Sequence, residues 1–180
     1  MGCEFGQFVE WNFEKELEFF LLEYEKHAKL QQYVEKLNHF YLENAPLWQG
    51  DDSWEGFSWI SHDDFQQSVI AFRRFDEQEN ELIVICNFVP VERTDYKIGV
   101  PDYTSFKEIF NSDSVEFGGN GVGNPVALRP KKEPMHGFEK SISLTIPAMS
   151  VLILKPGKKA AKKPAGEKKT GVKKPVKTEA

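Results

Sequence analysis

The sequence predicts a mainly β fold: a C-terminal β-sandwich preceded by helical structure and followed by a basic tail. Three observations predict it. From Trp48 onward the apolar period changes from 3.6 residues to two, seven short runs rich in Val, Ile, Phe and Tyr follow, and no amphipathic helix interrupts them. Seven such strands in roughly a hundred residues suit two sheets packed face to face, and nothing in this half supports a parallel α/β sheet.

The chain opens on Met1 to Asn12, MGCEFGQFVEWN, which reads as a loop. It holds two carboxylates (Glu4, Glu10), two amides (Gln7, Asn12), the Trp11 indole and the Phe5 and Phe8 rings, with Gly2 and Gly6 loosening the backbone. Sugars present hydroxyls at their rim and an apolar ring face, so this set suits a sugar site; it equally suits a segment docked on a core. Leu17, Phe20, Leu21 and Tyr24 then recur at helical spacing and predict a short helix. A stronger one follows, its stripe formed by Leu30, Val34, Leu37 and Tyr41 and widened by Tyr33 and Phe40. Asn44-Ala45-Pro46 ends it, because the residue before proline is pushed out of the α region. His27 and His39 stand twelve residues apart, so they read as surface or core histidines and no metal site is expected.

The predicted strands are 57–60, 68–74, 82–88, 96–100, 106–110, 142–146 and 150–154, with FDEQENE (75–81) as a hairpin loop. Trp59 alternates with Phe57 and is expected in the core. Trp54 stands in the polar stretch QGDDSWEGF and is the candidate for an exposed platform or an interface plug. Between Val115 and Phe138 the glycines of FGGNGVGN invite a phosphate-loop reading. That reading needs a helix after the loop, and Pro125 and Pro130 rule against one. A long surface loop with glycines at positive φ is expected instead.

The formal charge of −5 divides unevenly: residues 155–180 hold ten lysines and two glutamates, which leaves −13 on residues 1–154. Lys, Ala and Pro repetition cannot bury enough surface to offset chain entropy, so the tail is expected to be disordered. With no aromatic residue to stack on bases, it is not expected to recognise nucleic acid specifically. No apolar run approaches the ~20 residues of a membrane span. Met-Gly-Cys at the start lacks the Ser or Thr at position six that acylation wants, since Gly6 stands there. Cys3 and Cys86 are far apart and in no metal or disulfide pattern, as expected of reduced thiols in a cytoplasmic protein; no cofactor is expected.

One further pattern runs through the chain in order: MGCEFGQ, EWN, LEFFLL, KLNHFY, GFSWI, SVIAFRR, VICNFVPVERTDYKIGVP, EIFNSDS and FGGNGVGN. Taken in register to about Leu154, it resembles the C-terminal part of bacterial-type 1,4-α-glucan (glycogen) branching enzymes of the α-amylase superfamily. In that family a β/α barrel carries the chemistry and an all-β domain follows it. The resemblance implies that residues 1–45 are the end of a truncated β/α barrel (its last loop and helices), 46–154 the C-terminal all-β sandwich and 155–180 the tail. Barrel active sites lie on the loops at the strands' C-terminal ends, which is where the opening stretch would stand.

Branching enzymes cleave an α-1,4 glucan and rejoin the piece through an α-1,6 bond, with an Asp nucleophile and a Glu acid/base as in retaining glycosidases. The family's catalytic carboxylates lie upstream of the position matching Met1, so no catalytic residue is expected in this chain, and Glu4 and Glu10 do not fill that role. The resemblance implies substrate-binding roles for Glu4, Gln7, Trp11 and Asn12, with Trp54 a further candidate. Leu17-Glu18-Phe19 stands where the family often has Leu-Asp-Trp, which puts a sugar contact there in doubt. The expected partners are an α-glucan and the remainder of the barrel. The competing expectations are a non-catalytic carbohydrate-binding or structural module, a piece of a related α-glucan hydrolase or debranching enzyme, and a polyanion-binding tail.

Overall fold

The computed structural model describes residues 1–160. All seven expected strands form: β1 (Phe57–Asp64), β2 (Val69–Phe75), β3 (Glu81–Asn87), β4 (Arg93–Val100), β5 (Phe106–Asn111), β6 (Lys140–Ile146) and β7 (Ser150–Pro156). They make a five-stranded sheet of order β1-β2-β3-β7-β5 and a two-stranded sheet β4-β6. Every pairing is antiparallel. The β2–β3 connection is a tight turn in which the Asp76 carboxylate accepts from the backbone N–H groups of Gln78 and Asn80.

The main core lies between the sheets. Ile83 and Ile85 of β3, Val69 and Ala71 of β2, and Leu152 and Leu154 of β7 meet Ile98, Ile142, Leu144 and Ile146 of the smaller sheet. The intervening residues of β3 and β7 point the other way: Leu82, Val84 and Ile153 join Phe110 in a second cluster on the outer face. This explains why LIVIC and VLIL are unbroken apolar runs, since a strand covered on both faces has no polar side to show.

One α-helix, α1 (Glu25–Glu43), covers the second cluster with Tyr33, Leu37 and Phe40. The helix starts at Glu25, five residues ahead of the expected stripe. The expected short helix around residues 17–24 is a 3₁₀ turn, Phe19–Glu23. The stripe itself is corrected too: Leu30 and Tyr41 are exposed, and the face that packs is the one carrying Tyr33 and Phe40. Apolar residues occupy so wide an arc of this helix that only its partner decides which edge is seated.

Trp59 is also corrected. It is 48% exposed, on the outer face beside Phe57 and Phe72. Phe57 and Trp59 alternate as expected, but the face they share is the outer one; only beyond Trp59 does a bulge interrupt the ladder, so that Ile60 and Ser61 are both buried. The tail boundary moves as well: Lys155 and Pro156 complete β7 against Lys107 and Phe106. Beyond them the Gly157 N–H donates to Ser105, the Lys158 carbonyl accepts from Thr104, and the Ala160 N–H donates to Asp102. Backbone pairing needs no apolar side chain, so composition could not locate this end. The disorder expected of the remaining tail falls on residues outside those described.

Candidate functional site

The opening loop is a compact, braced structure. Gly2 and Gly6 take left-handed φ values of 84° and 71°, which lets the backbone turn back so that the Gln7 N–H reaches the Gly2 carbonyl at 3.0 Å. That turn drives Phe5 inward: it is fully buried, its ring 5.6 Å from that of Phe19. Its carbonyl lies 2.7 Å from Nδ1 of His27 on α1. A carbonyl can only accept, so the proton sits on Nδ1. The His27 ring also meets Phe8 edge-on at 5.2 Å.

The expected binding residues are thereby sorted by what holds them. Gln7 spans the loop: its Oε1 accepts from the Glu18 N–H at 3.0 Å and its Nε2 donates to the Val9 carbonyl at 2.9 Å. Asn12 accepts from the Glu14 N–H through Oδ1 at 2.9 Å, which leaves its amide NH₂ facing outward without a protein partner among the described residues. Glu4 is exposed and makes no hydrogen bond among the described residues, and Trp11 is half-exposed. One loop thus carries all four, with Gln7 its strut and the other three displayed. Sequence reading missed the anchors Phe5 and His27; the alternation of Gly2 and Gly6 around Phe5 was the signal that could have found them.

Trp54 is separate. Its loop is pinched where Gly50 and Gly56 meet, so closely that a Cβ on Gly56 would lie 2.2 Å from the Gly50 carbonyl oxygen. The chain between them bulges out and leaves Trp54 91% exposed at the start of a 3₁₀ turn resting on β1 and β2. The opening loop rests on α1 instead, so the structure gathers Glu4, Gln7, Trp11 and Asn12 but places Trp54 on another element.

The FGGNGVGN loop joins these regions mechanically. Asp113 accepts from the Asn120 and Val122 N–H groups, both at 3.0 Å, and Glu108 accepts from the Asn124 N–H at 2.8 Å. Of the glycines between Val115 and Phe138, Gly118, Gly121 and Gly137 have positive φ, and Gly119 and Gly123 do not. Gly119 and Gly123 are needed for close approach, since a Cβ would lie 2.3 Å from the Asp113 carbonyl oxygen or 2.5 Å from the Asn111 amide nitrogen. So braced, the loop presents Phe117 to Tyr33 (5.3 Å between rings) and Glu116 to the Gln32 amide (3.1 Å), holding α1 on the sheet.

An open groove of about 1030 Å³ lies elsewhere, between the turn after β2, the Gly50–Gly56 loop and the end of β7. In its wall both Arg73 Nε and Nη2 donate to Oε2 of Glu81, whose side chain is 1% exposed. Burial, reinforced by the Glu81 charge, pushes the neighbouring Tyr103 phenol up to about 12. Elsewhere in the sandwich, burial and then the hydrogen bond to Asp64 raise the Tyr96 phenol further. Among the described residues, no three His, Cys, Asp or Glu side chains are placed to hold a metal ion, and no helix is long and apolar enough to cross a membrane.

Residues 59–157 match the family model described as the alpha amylase C-terminal all-beta domain. Over 157 residues the chain is 45% identical to a 1,4-alpha-glucan branching enzyme GlgB from Halothermothrix orenii, covering 87% of this chain and 25% of that protein. Relatives of the same name are 46% identical in Clostridium perfringens (86% of this chain, 24% of the relative) and Aquifex aeolicus (86% and 25%). The aligned stretch is longer than the sandwich, so the likeness extends outside it. The chain spans about a quarter of the length of these curated relatives.

Proposed function

Because the chain belongs to the family of the α-amylase C-terminal all-β domain, we propose that it supplies the C-terminal sandwich and an adjoining substrate-binding loop to 1,4-α-glucan branching in the cytoplasm. The observation that carries this reading is the opening loop, where buried Phe5 and the His27–Phe5 contact fix a backbone that displays Glu4, Trp11 and Asn12 together. In this reading residues 1–45 are the end of a catalytic β/α barrel, and the ligand is an α-glucan. Glu4 and Asn12 meet its hydroxyls, Trp11 stacks on a ring face, and Gln7 offers its remaining amide hydrogen while bracing the loop. The transferase chemistry and its carboxylates belong to the remainder of the barrel, the chain's other partner; we assign no catalytic residue, metal or cofactor to residues 1–160.

The 180-residue chain is expected to leave the iodine colour of amylose unchanged, and measurable branching would overturn that assignment. A second reading, a carbohydrate-binding module, is favoured by one observation, the 91% exposure of Trp54 on a pinched loop. Affinity electrophoresis in glycogen separates the contributions. Retardation lost in Trp54→Ala assigns binding to the sandwich, retardation lost in Trp11→Ala assigns it to the opening loop, and no retardation of the parent chain rejects glucan binding by this chain.

A further inference from the structure

We propose that His136 is a pH-sensitive latch: its neutral ring ties the turn Met135–Phe138 to β4, and protonation of that ring releases the turn. In the two-stranded sheet β4 is paired with β6 alone. The loop that leads into β6 returns to cover it. Lys131 exchanges backbone hydrogen bonds with Ser141 of β6 at 2.9 and 3.1 Å, and the Lys97 ammonium of β4 meets the Glu133 carboxylate at 2.7 Å. Met135 and Phe138 then close a turn on each other through two bonds of 2.9 Å. That turn presses on Gly99 of β4, where a Cβ would lie 2.1 Å from the Met135 carbonyl oxygen. Within the turn His136 takes a φ of 50°, uncommon for any residue but glycine, and its Nδ1 accepts from the Gly99 N–H at 3.2 Å.

This contact fixes the charge of the ring. A backbone N–H can only donate, so Nδ1 must be bare and the ring proton sits on Nε2. An imidazolium carries a proton on both nitrogens and would set donor against donor at Gly99. The charged ring also has somewhere to turn. Asp63 and Asp64 of β1, Glu92, and Asp95 of β4 line the cavity of about 510 Å³ beside it, against the cations Arg93 and Lys97. Arg93 donates to the Gln67 carbonyl and Lys97 is held by Glu133. The charges that reach the ring are those of Asp63 and Asp64. Asp64 already accepts from the Tyr96 hydroxyl at 2.6 Å, which leaves the exposed Asp63 carboxylate for the charged ring. Burial outweighs this attraction and holds His136 below the usual histidine range. The folded state thus binds the proton more weakly than the unfolded chain does. The latch is therefore fully closed above about pH 6.5 and is lost as pH falls through the lower folded value. Phe138, packed against the main core with the Arg73 guanidinium 5.7 Å from its ring, is the side chain that a released turn carries with it. This inference does not rest on the glucan reading, and its failure would leave that reading untouched.

The experiment follows the Gly99 amide of the whole chain by NMR-detected hydrogen exchange, expressed as a protection factor so that the intrinsic pH dependence of exchange drops out. Between about pH 7.5 and about pH 5 the protection of Gly99 is expected to fall at least about fivefold, the worth of one hydrogen bond, while Ile83–Cys86 stay protected. His136→Asn sets an amide oxygen where Nδ1 stands, tolerates the positive φ and takes no proton in this range. Its Gly99 protection should stay within about twofold across the same range. His136→Ala, with no acceptor, should leave Gly99 poorly protected at both ends. Unchanged Gly99 protection in the parent overturns the proposal, as does a fall that persists in His136→Asn, which would place the sensor on another group. Should the variants fold poorly, the ring nitrogens of the parent decide instead. Their ¹⁵N shifts at about pH 7.5 are expected to put the proton on Nε2, and a proton on Nδ1 rejects the latch.

Discussion

The sandwich and the segment before it are held by different means. Between the sheets some fifteen side chains form a buried cluster with contributions from β1 to β7. Residues 1–45 contribute two buried large side chains, Phe5 and Leu21, and α1 has no buried residue over its nineteen positions. No side chain caps the start of α1, so the helix depends on Tyr33, Leu37 and Phe40 and on the contacts of Glu116 for its place. Elements with few buried contacts open at lower free energy than the core they rest on. The loop proposed to meet substrate therefore stands on the part of the molecule most easily released.

This contrast can be broken from the core outward. Leu152→Ala removes a fully buried side chain from the strand shared by both clusters and is expected to cost about 3 kcal/mol. Both regions should unfold together, read as one cooperative thermal transition at a lower midpoint. Phe110→Ala strikes the outer face, where that ring meets Tyr33 at 6.1 Å and Phe40 at 4.9 Å. A loss of about 2 to 3 kcal/mol is expected, confined to helix docking. Hydrogen exchange should quicken in Glu25–Glu43 while Ile83–Cys86 stay protected. Equal acceleration in both would show that the two regions form one unit after all. Asp113→Ala should act in the same place more weakly, by about 2 kcal/mol, because the Asn120 and Val122 N–H groups lose a charged acceptor while the apolar contacts remain.

The same division governs what could be read from sequence. Each strand announced itself as a short run rich in Val, Ile, Phe and Tyr, alternating where one face is buried and unbroken, as in β3 and β7, where both are. What failed at Trp59 was the choice of face: it alternates with Phe57 as expected, but both lie outward beside Phe72, and period-two patterning does not say which side of a strand meets the other sheet. On α1 two overlapping stripes competed, and the seat of Tyr33 and Phe40 was fixed by Phe110 and Phe117, some seventy to eighty positions away. The opening loop was legible as a set of polar and aromatic groups; that Gln7 is a strut and Asn12 a displayed amide depended on which backbone groups it met. The groove was illegible for a related reason: its walls come from stretches separated by strands, and no single window contains them.

The smallest expected effect separates the regions by pH. Tyr103 is a buried member of the sandwich core, and its phenol, held neutral by burial and by the nearby Glu81 carboxylate, titrates near 12. An unfolded tyrosine loses its proton near pH 10. The folded state thus holds the proton more tightly, so this contribution is fully present below about pH 10 and is lost as pH rises toward 12. Tyr33, at the seat of α1, is raised as well, chiefly by burial, so docking of the helix weakens over the alkaline range too. Tyr103→Phe keeps the ring in place and removes the ionising group. At pH 7 it should change stability by less than about 1 kcal/mol. Above pH 10 it should flatten the alkaline fall of the sandwich transition while helix release, followed by exchange in α1, proceeds as in the parent. If the variant flattened both, alkaline release of α1 would originate in the sandwich core, and the helix would have no independent opening for Tyr33 to govern.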